Sequence, residues 1–539
     1  MEKVLIIQMC RMGDLVQTLP LLKRLKESKQ GCEITLMCIR ESAELLQFSP
    51  LVDCFISLPQ RFYDSTRTRI ENDPGQVASL WDFPALRSHY DLVINLTHDL
   101  SSAILLDRVS GKMKYGRVQT ASDEIRALGD WTKYLFAVVK NRTQNILNLV
   151  DIHIGMGGVA HKPEENYLGV GHKALEEGRA ILKAHGHQEK GPLIALQMGA
   201  NQLHRAWPVH HFASLARHLT GHHNAEIVLL GSSNEGELGV ELQRQVAVPV
   251  INLIGKTQVT DLPAILKTCD FLISNDTGTA HIAAAVGTRV LGLYFSTAYW
   301  GETAPYGANN IILQVELPCS PCLYSQKCET IDCKEYLTVE AVQNAASMMI
   351  DGKVKQDFNH PYLSTYRSRF LSNGTLAYVP ISNAISEAYQ TGFINRIVWE
   401  EALNLEPDRD YISQCASRML HLDQFRLKAL TCQEEHRYLE RQYHHALRVA
   451  QDIIVEFHKR PLSQQKVLSY NNELMTIQRS IAELQPSLMQ AYQIYELMDT
   501  DYLPHPQLAQ QLVSKYSRLH SISKSSSELL EGLLSIDHE

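Results

Sequence analysis

The sequence predicts an α/β protein, with two parallel-sheet domains in tandem followed by a mainly α-helical domain. Three observations carry this. Short Val/Ile/Leu runs alternate with helical stretches from the start, the alternation begins again near residue 190, and strand-like runs thin out after about residue 352. Strands that alternate with helices build a parallel sheet covered on both faces, and strands buried on both sides read as continuous apolar runs.

Taken in order, Val4-Leu5-Ile6-Ile7 is a strand, Met12-Gly13-Asp14 breaks it, and Leu15 to Ser28 spaces Leu and Lys as a helix does. Further strands are expected at Glu33–Ile39 and Asp91–Leu96. The second series runs through Pro192–Leu196, a helix from Val209 to Leu219, then Glu226–Gly231, Phe271–Asn275 and Val290–Tyr294. The boundaries expected from this are 1–180 and 190–352, joined by a Gly- and Lys-containing stretch from about Gly155 to Gly191. Residues 353–539 form the helical accessory domain, opened by a small hairpin from Arg367 to Val379 around Ser372-Asn373-Gly374. Within that domain Ser521 to Ser527 reads as a loop.

A chain of 539 residues exceeds what one core can organise. With 45% hydrophobic and 20% charged residues it is an ordinary globular composition, and a net charge of -8 gives no electrostatic reason to bind nucleic acid. No apolar run reaches the roughly 18 to 20 residues that span a bilayer, and Met1 to Ile7 reads as a strand rather than a signal peptide. A cytoplasmic protein without a transmembrane segment is therefore expected.

Two strand-to-helix turns carry chemistry. In Ser274-Asn275-Asp276-Thr277-Gly278-Thr279-Ala280-His281 a buried strand ends in a polar turn and small residues begin a helix. Such a start offers unpaired N–H groups and the positive dipole end, which suit a diphosphate, and Gly278 lets backbone approach phosphate closely. Asp276 and Thr277 are equally suited to plain helix capping. In Gln8 to Pro20 the same architecture sets Asp14 at a helix entrance, where it can either cap the helix or take a proton from an acceptor hydroxyl.

These residues resemble glycosyltransferase family 9, the heptosyltransferases of the lipopolysaccharide inner core. The resemblance rests on Met12 to Pro20, Arg205-Ala206-Trp207-Pro208, Gly231-Ser232-Ser233-Asn234-Glu235, and Asn275 to Gly278 with His281, in that order over about 350 residues. Tyr306-Gly307 and a cysteine cluster add to it. It implies a GT-B fold, two Rossmann-like domains facing a cleft, with the acceptor on the first and an ADP-activated heptose on the second. By this resemblance Asp14 is the general base, Arg205 meets donor phosphate, Glu235 holds the ribose, and Asp276, Thr277, Gly278, Thr279 and His281 line the diphosphate and sugar. Arg11, Gly13 and His98 are placed on the acceptor side. Transfer would be inverting and independent of a catalytic metal, since helix-start amides and Arg205 can stabilise the leaving diphosphate. The only Asp-x-Asp noted, Asp408-Arg409-Asp410, lies in the tail and reads as a loop. Where the family has Lys before Arg/His-Trp-Pro this chain has Arg205, and Ala200 and Asn201 stand where hydroxyl side chains occur in some members.

Cys319, Cys322, Cys328 and Cys333 place four thiols within fifteen residues, a set that can hold structural zinc or iron, or stay free or disulfide-paired. In the tail, Tyr438, Leu439, Tyr443, Leu447 and Ile453 fall on one helical face expected to pack on other helices, and His436, His444 and His445 read as solvated. The helical domain suits recognition of a protein acceptor or homo-oligomer formation. The expected partners are a nucleotide-sugar donor and a glycan or protein acceptor, at most peripherally at the inner membrane. An inactive GT-B-derived scaffold acting through the tail is the alternative, against which stand Asp14, Arg205, Glu235 and Asp276 together.

Overall fold

The computed structural model describes residues 2–535 except 30, 62, 65–66, 69–82, 120–124, 139–141, 201, 324–327, 329, 331, 353–361, 383–384, 420–421, 458–463 and 483–505. The chain divides into two compact units, one formed by Met1–Thr132 with Leu147–Ser386 and the other by Lys133–Ile146 with Glu387–Glu539.

The first unit contains two doubly wound lobes. In the first lobe β1 (Lys3–Gln8), β2 (Glu33–Ile39), β3 (Cys54–Leu58), β4 (Tyr90–Asn95), β5 (Gly111–Gln119) and β6 (Ile125–Leu128) lie in the order β3-β2-β1-β4-β5-β6. All pair in parallel except β5 with β6. Leu5, Ile7, Met37, Ile56 and Val93 make the core beneath them, which is why these strands carry unbroken apolar runs. Strand order reverses direction between β1 and β4, and the carboxyl ends of such a pair flank a crevice. Helix α1 (Met12–Ser28) starts there.

The second lobe repeats the plan with β7 (Leu193–Gln197), β8 (Glu226–Leu230), β9 (Ile251–Asn252), β10 (Phe271–Asn275), β11 (Arg289–Tyr294) and β12 (Ile311–Val315), all parallel. Its reversal lies between β7 and β10. Two antiparallel strands, β13 (Leu363–Phe370) and β14 (Leu376–Pro380), extend the sheet beyond β12. The expected hairpin is therefore present, but it belongs to this lobe and not to the tail, and the units divide after Ser386 rather than after 352. Its attachment has a clear cause. Tyr366 stacks on Trp300 at 4.5 Å between ring centroids and donates a hydrogen bond to the half-buried Glu316 at 2.6 Å. Gly374, at φ +84°, closes the turn by donating to Leu371 O at 2.9 Å.

Helix Leu149–Met156 packs along α1 of the first lobe, where the sequence assigns it, and is also tied to the second lobe. Its fully buried Asp151 accepts from Tyr306 Oη at 2.9 Å and from the Leu376 amide at 2.9 Å. From the first lobe, Lys23 and Arg24 of α1 both pair with the buried Glu164, Lys23 at 2.5 Å. The two lobes thus share the 147–191 segment, and together they form the GT-B arrangement.

The second unit is mainly helical, built on Glu387–Ala402, Arg409–Met419, Asp423–Phe457, Gln464–Ala482 and Pro506–Leu534. Leu439, Tyr443 and Ile453 pack with Ile477, Ile481, Tyr516 and Leu519, as the helical spacing predicts. Two expectations are corrected here. Ser521–Ser527 lies inside Pro506–Leu534, with Ser523, Ser526 and Ser527 buried, and His436 is buried rather than solvated, its imidazole depressed to about 4 by desolvation. Tyr134 packs edge-on against Trp399 at 4.7 Å, which draws Lys133–Ile146 into this unit.

Candidate active site

The crevices at the carboxyl ends of both sheets open into one cavity of about 1120 Å³ in the first unit. Gly13 and Asp14 line it from the first lobe, and Arg205, Glu235, Asp276 and Gly278 from the second. Arg11, Thr277, Thr279 and His281 also line it, whereas His98 is exposed and stands outside the lining. Asn201 lies outside the described residues.

The helix that begins at Gly278 runs to Ala285, and its N-cap Thr277 makes no side-chain capping bond. Thr277 Oγ1 instead meets Ser274 Oγ at 2.9 Å, and Asp276 is taken by Arg205. The capping alternative is thus not what these side chains do. The helix start keeps amides without side-chain partners, beside a cavity.

Asn275 ties the surrounding loops together. Fully buried, it donates to Met198 O at 2.8 Å and Gly199 O at 3.2 Å, and accepts from the Trp207 amide at 3.1 Å. Trp207 is in turn buried, its indole donating to Leu337 O at 2.7 Å and its ring edge-on to Phe212. The Trp-Pro part of the motif is therefore a structural anchor that delivers Arg205 to the cavity. Arg205 Nη2 pairs with Asp276 Oδ2, while its buried Nε has no partner among the described residues. A guanidinium with an unused buried donor has capacity left for an anion.

Glu235 sits one strand away. One carboxylate oxygen accepts from the Ser232 amide at 2.6 Å and its hydroxyl at 2.8 Å, which is a capping box, and the other accepts from Gln197 Nε2 at 3.1 Å.

Asp14 occupies the third position of α1, and one oxygen accepts from the Arg11 amide at 3.0 Å. The capping reading is thus realised, and it rigidly fixes a carboxylate that also faces the cavity. Burial raises the Asp14 carboxyl above its ordinary range, opposed by His281, the Arg11 amide, His98 and the Arg11 charge. His281 is buried, desolvation disfavours its charged form, and its Nδ1 has no partner among the described residues.

Cys319 and Cys328 are exposed, Cys322 is buried and Cys333 half-buried. Burial raises the Cys333 thiol, with smaller upward contributions from the other three. Among the described residues no group of three or more His, Cys, Asp or Glu stands where it could hold a metal ion.

A family model for glycosyltransferase family 9 (heptosyltransferase) matches residues 82–331. Lipopolysaccharide heptosyltransferase 3 of Escherichia coli is 23% identical over 292 residues, 53% of this chain and 81% of its own length. Lipooligosaccharide heptosyltransferase 2 of Haemophilus influenzae is 26% identical over 316 residues, 55% of this chain and 84% of its own. The chain is a glycosyltransferase similar to the family 9 heptosyltransferases. A solved family 9 glycosyltransferase of Veillonella parvula is also similar, with a TM-score of 0.49 and 17% identity over 65% of this chain and 98% of that one. In this glycosyltransferase the matched segment holds Arg205, Glu235 and Asp276 to His281, and Asp14 lies before it. Among the described residues no helix is long and apolar enough to cross a membrane.

Motif reading missed Gln197, Gly199, Ser232 and Asn275 as parts of this site. Asn275 stood inside a quoted motif, but nothing in the sequence pairs it with Met198 or Trp207.

Proposed function

We propose that this glycosyltransferase moves a heptose from ADP-heptose to a hydroxyl of a glycan or protein acceptor, inverting the anomeric carbon. One observation carries the reading: Asp14 from one lobe, and Arg205 with the Gly278 helix start from the other, face the same cavity. Relatives named as lipopolysaccharide and lipooligosaccharide heptosyltransferases support heptose as the sugar.

Each part has a task. Arg205 and the amides at Gly278 and Thr279 receive the diphosphate, and Glu235 the ribose. The acceptor oxygen attacks the anomeric carbon from the face opposite the diphosphate. As that C–O bond forms, the bond to the ADP oxygen breaks with its electron pair, and Asp14 takes the acceptor proton. Charge growing on the leaving diphosphate meets positive groups already in place, supplied by the chain itself. The raised Asp14 carboxyl brings its basicity nearer to neutral, where a general base is most effective.

The test is donor turnover with ADP-, GDP- and UDP-sugars against glycan and protein acceptors, read by intact mass. Selective use of ADP-heptose is expected. No turnover, together with no stabilisation of the chain by any nucleotide, would favour an inactive scaffold instead.

A further inference from the structure

Gln197 ends β7 at the reversal point of the second sheet and is 5% exposed. Its two amide atoms face different parts of the cavity wall. Oε1 accepts from Thr279 Oγ1 at 3.3 Å, in the first turn of the helix assigned to the diphosphate. Nε2 donates at 3.1 Å to Glu235 Oε1, the oxygen that Ser232 leaves unbound. Across from it, Gly199 leaves room for the same oxygen, since a Cβ there would coincide with Glu235 Oε1.

We infer that Gln197 is a positioning residue for donor recognition, fixing through its side-chain amide which way the Glu235 carboxylate points, with Gly199 as the clearance that makes this orientation available. The inference rests on the donor reading of the cleft. A carboxylate held at one oxygen can still swing about that anchor. Held at both, it presents its remaining lone pairs in one direction, as selection for a ribose hydroxyl demands. The bond from Thr279 Oγ1 to Gln197 Oε1 holds the side-chain amide itself in place, so that its Nε2 faces Glu235. A primary amide suits the position because it offers a donor to the carboxylate and an acceptor to the hydroxyl at once. Leucine, of similar size, offers neither.

Binding of ADP, 2′-deoxy-ADP and 3′-deoxy-ADP to the full-length wild type, Gln197→Leu and Gly199→Ala tests this by calorimetry. Wild type should favour ADP over one of the deoxy nucleotides by about tenfold, the scale of a hydrogen bond to a charged group. Gln197→Leu should bind ADP about tenfold more weakly and lose the discrimination, while its affinity for that deoxy nucleotide stays near wild type. Gly199→Ala should behave alike, because its methyl displaces the carboxylate from the other side. Gly199 lies outside the positive-φ region, so the alanine carries no backbone strain. A purely structural role for Gln197 would weaken all three nucleotides equally. Equal weakening, or retained ribose discrimination in Gln197→Leu, overturns the inference while leaving the donor reading intact. Failure of the wild type to bind ADP overturns both.

Discussion

Gly13 of the first lobe and Gly278 of the second meet at the base of the cleft, so closely that a Cβ on Gly13 would lie 3.3 Å from the Gly278 Cα and 2.9 Å from His281 Cδ2. The lobes thus touch at the starts of the two helices that carry Asp14 and the diphosphate site. A methyl at Gly13 must push back either His281 or the facing backbone. Gly13→Ala is expected to lower kcat/KM by about 10- to 100-fold, the usual cost of shifting reacting groups by a fraction of an ångström to an ångström. Its melting temperature should change little. Steady-state kinetics alongside thermal unfolding check both.

Arg205 gives a prediction about which part of the donor it serves. Arg205→Ala removes the cation and leaves Asp276 without its ion-pair partner in a largely buried place. ADP should bind about 10- to 100-fold more weakly, as for loss of a charge-assisted contact, while adenosine affinity should not change. Arg205→Lys should fall between, keeping charge without the fork. Calorimetric titrations with ADP and adenosine separate these outcomes.

The pH dependence follows from Asp14. A base works only when ionised, and burial raises this carboxyl in the folded chain. Log kcat/KM should therefore climb with pH through a limb centred above the ordinary aspartate value of about 3.9, flattening once Asp14 is deprotonated. A limb at or below the ordinary value would mean that another group takes the proton.

How much of this was legible in the sequence depended on the range of the interactions. Strands Glu33–Ile39 and Phe271–Asn275 were read to the residue, because a strand buried on both faces carries its signal locally. The hairpin around Gly374 was legible as a turn, but not its attachment to β12, which depends on pairing Leu363–Arg367 with residues some fifty positions earlier. Ser521–Ser527 was misread because serine favours loops in isolation, whereas here buried small side chains let the helix pack closely. Within the site, Asp14, Arg205, Glu235 and the Gly278 turn were visible as motifs. Gln197 was not, since its function exists only where Thr279 and Glu235 converge on it.

Asn275 supplies the stability prediction. Asn275→Ala leaves the carbonyls of Met198 and Gly199 and the Trp207 amide without their buried partner. A loss of about 2–5 kcal/mol is expected, from a desolvation cost of roughly 1–3 kcal/mol per orphaned group that relaxation partly relieves. Urea unfolding followed by tryptophan fluorescence measures it.

The central claim is that Asp14 removes the acceptor proton in a cleft whose other wall holds the donor. The most direct measurement pairs ADP-heptose affinity with the rate of transfer for wild type and Asp14→Asn. The amide keeps the size of the side chain and can still accept from the Arg11 amide. Affinity should stay within about threefold while transfer falls by about 100- to 10,000-fold, the range for loss of a general base. Transfer by Asp14→Asn at the wild-type rate would contradict the account.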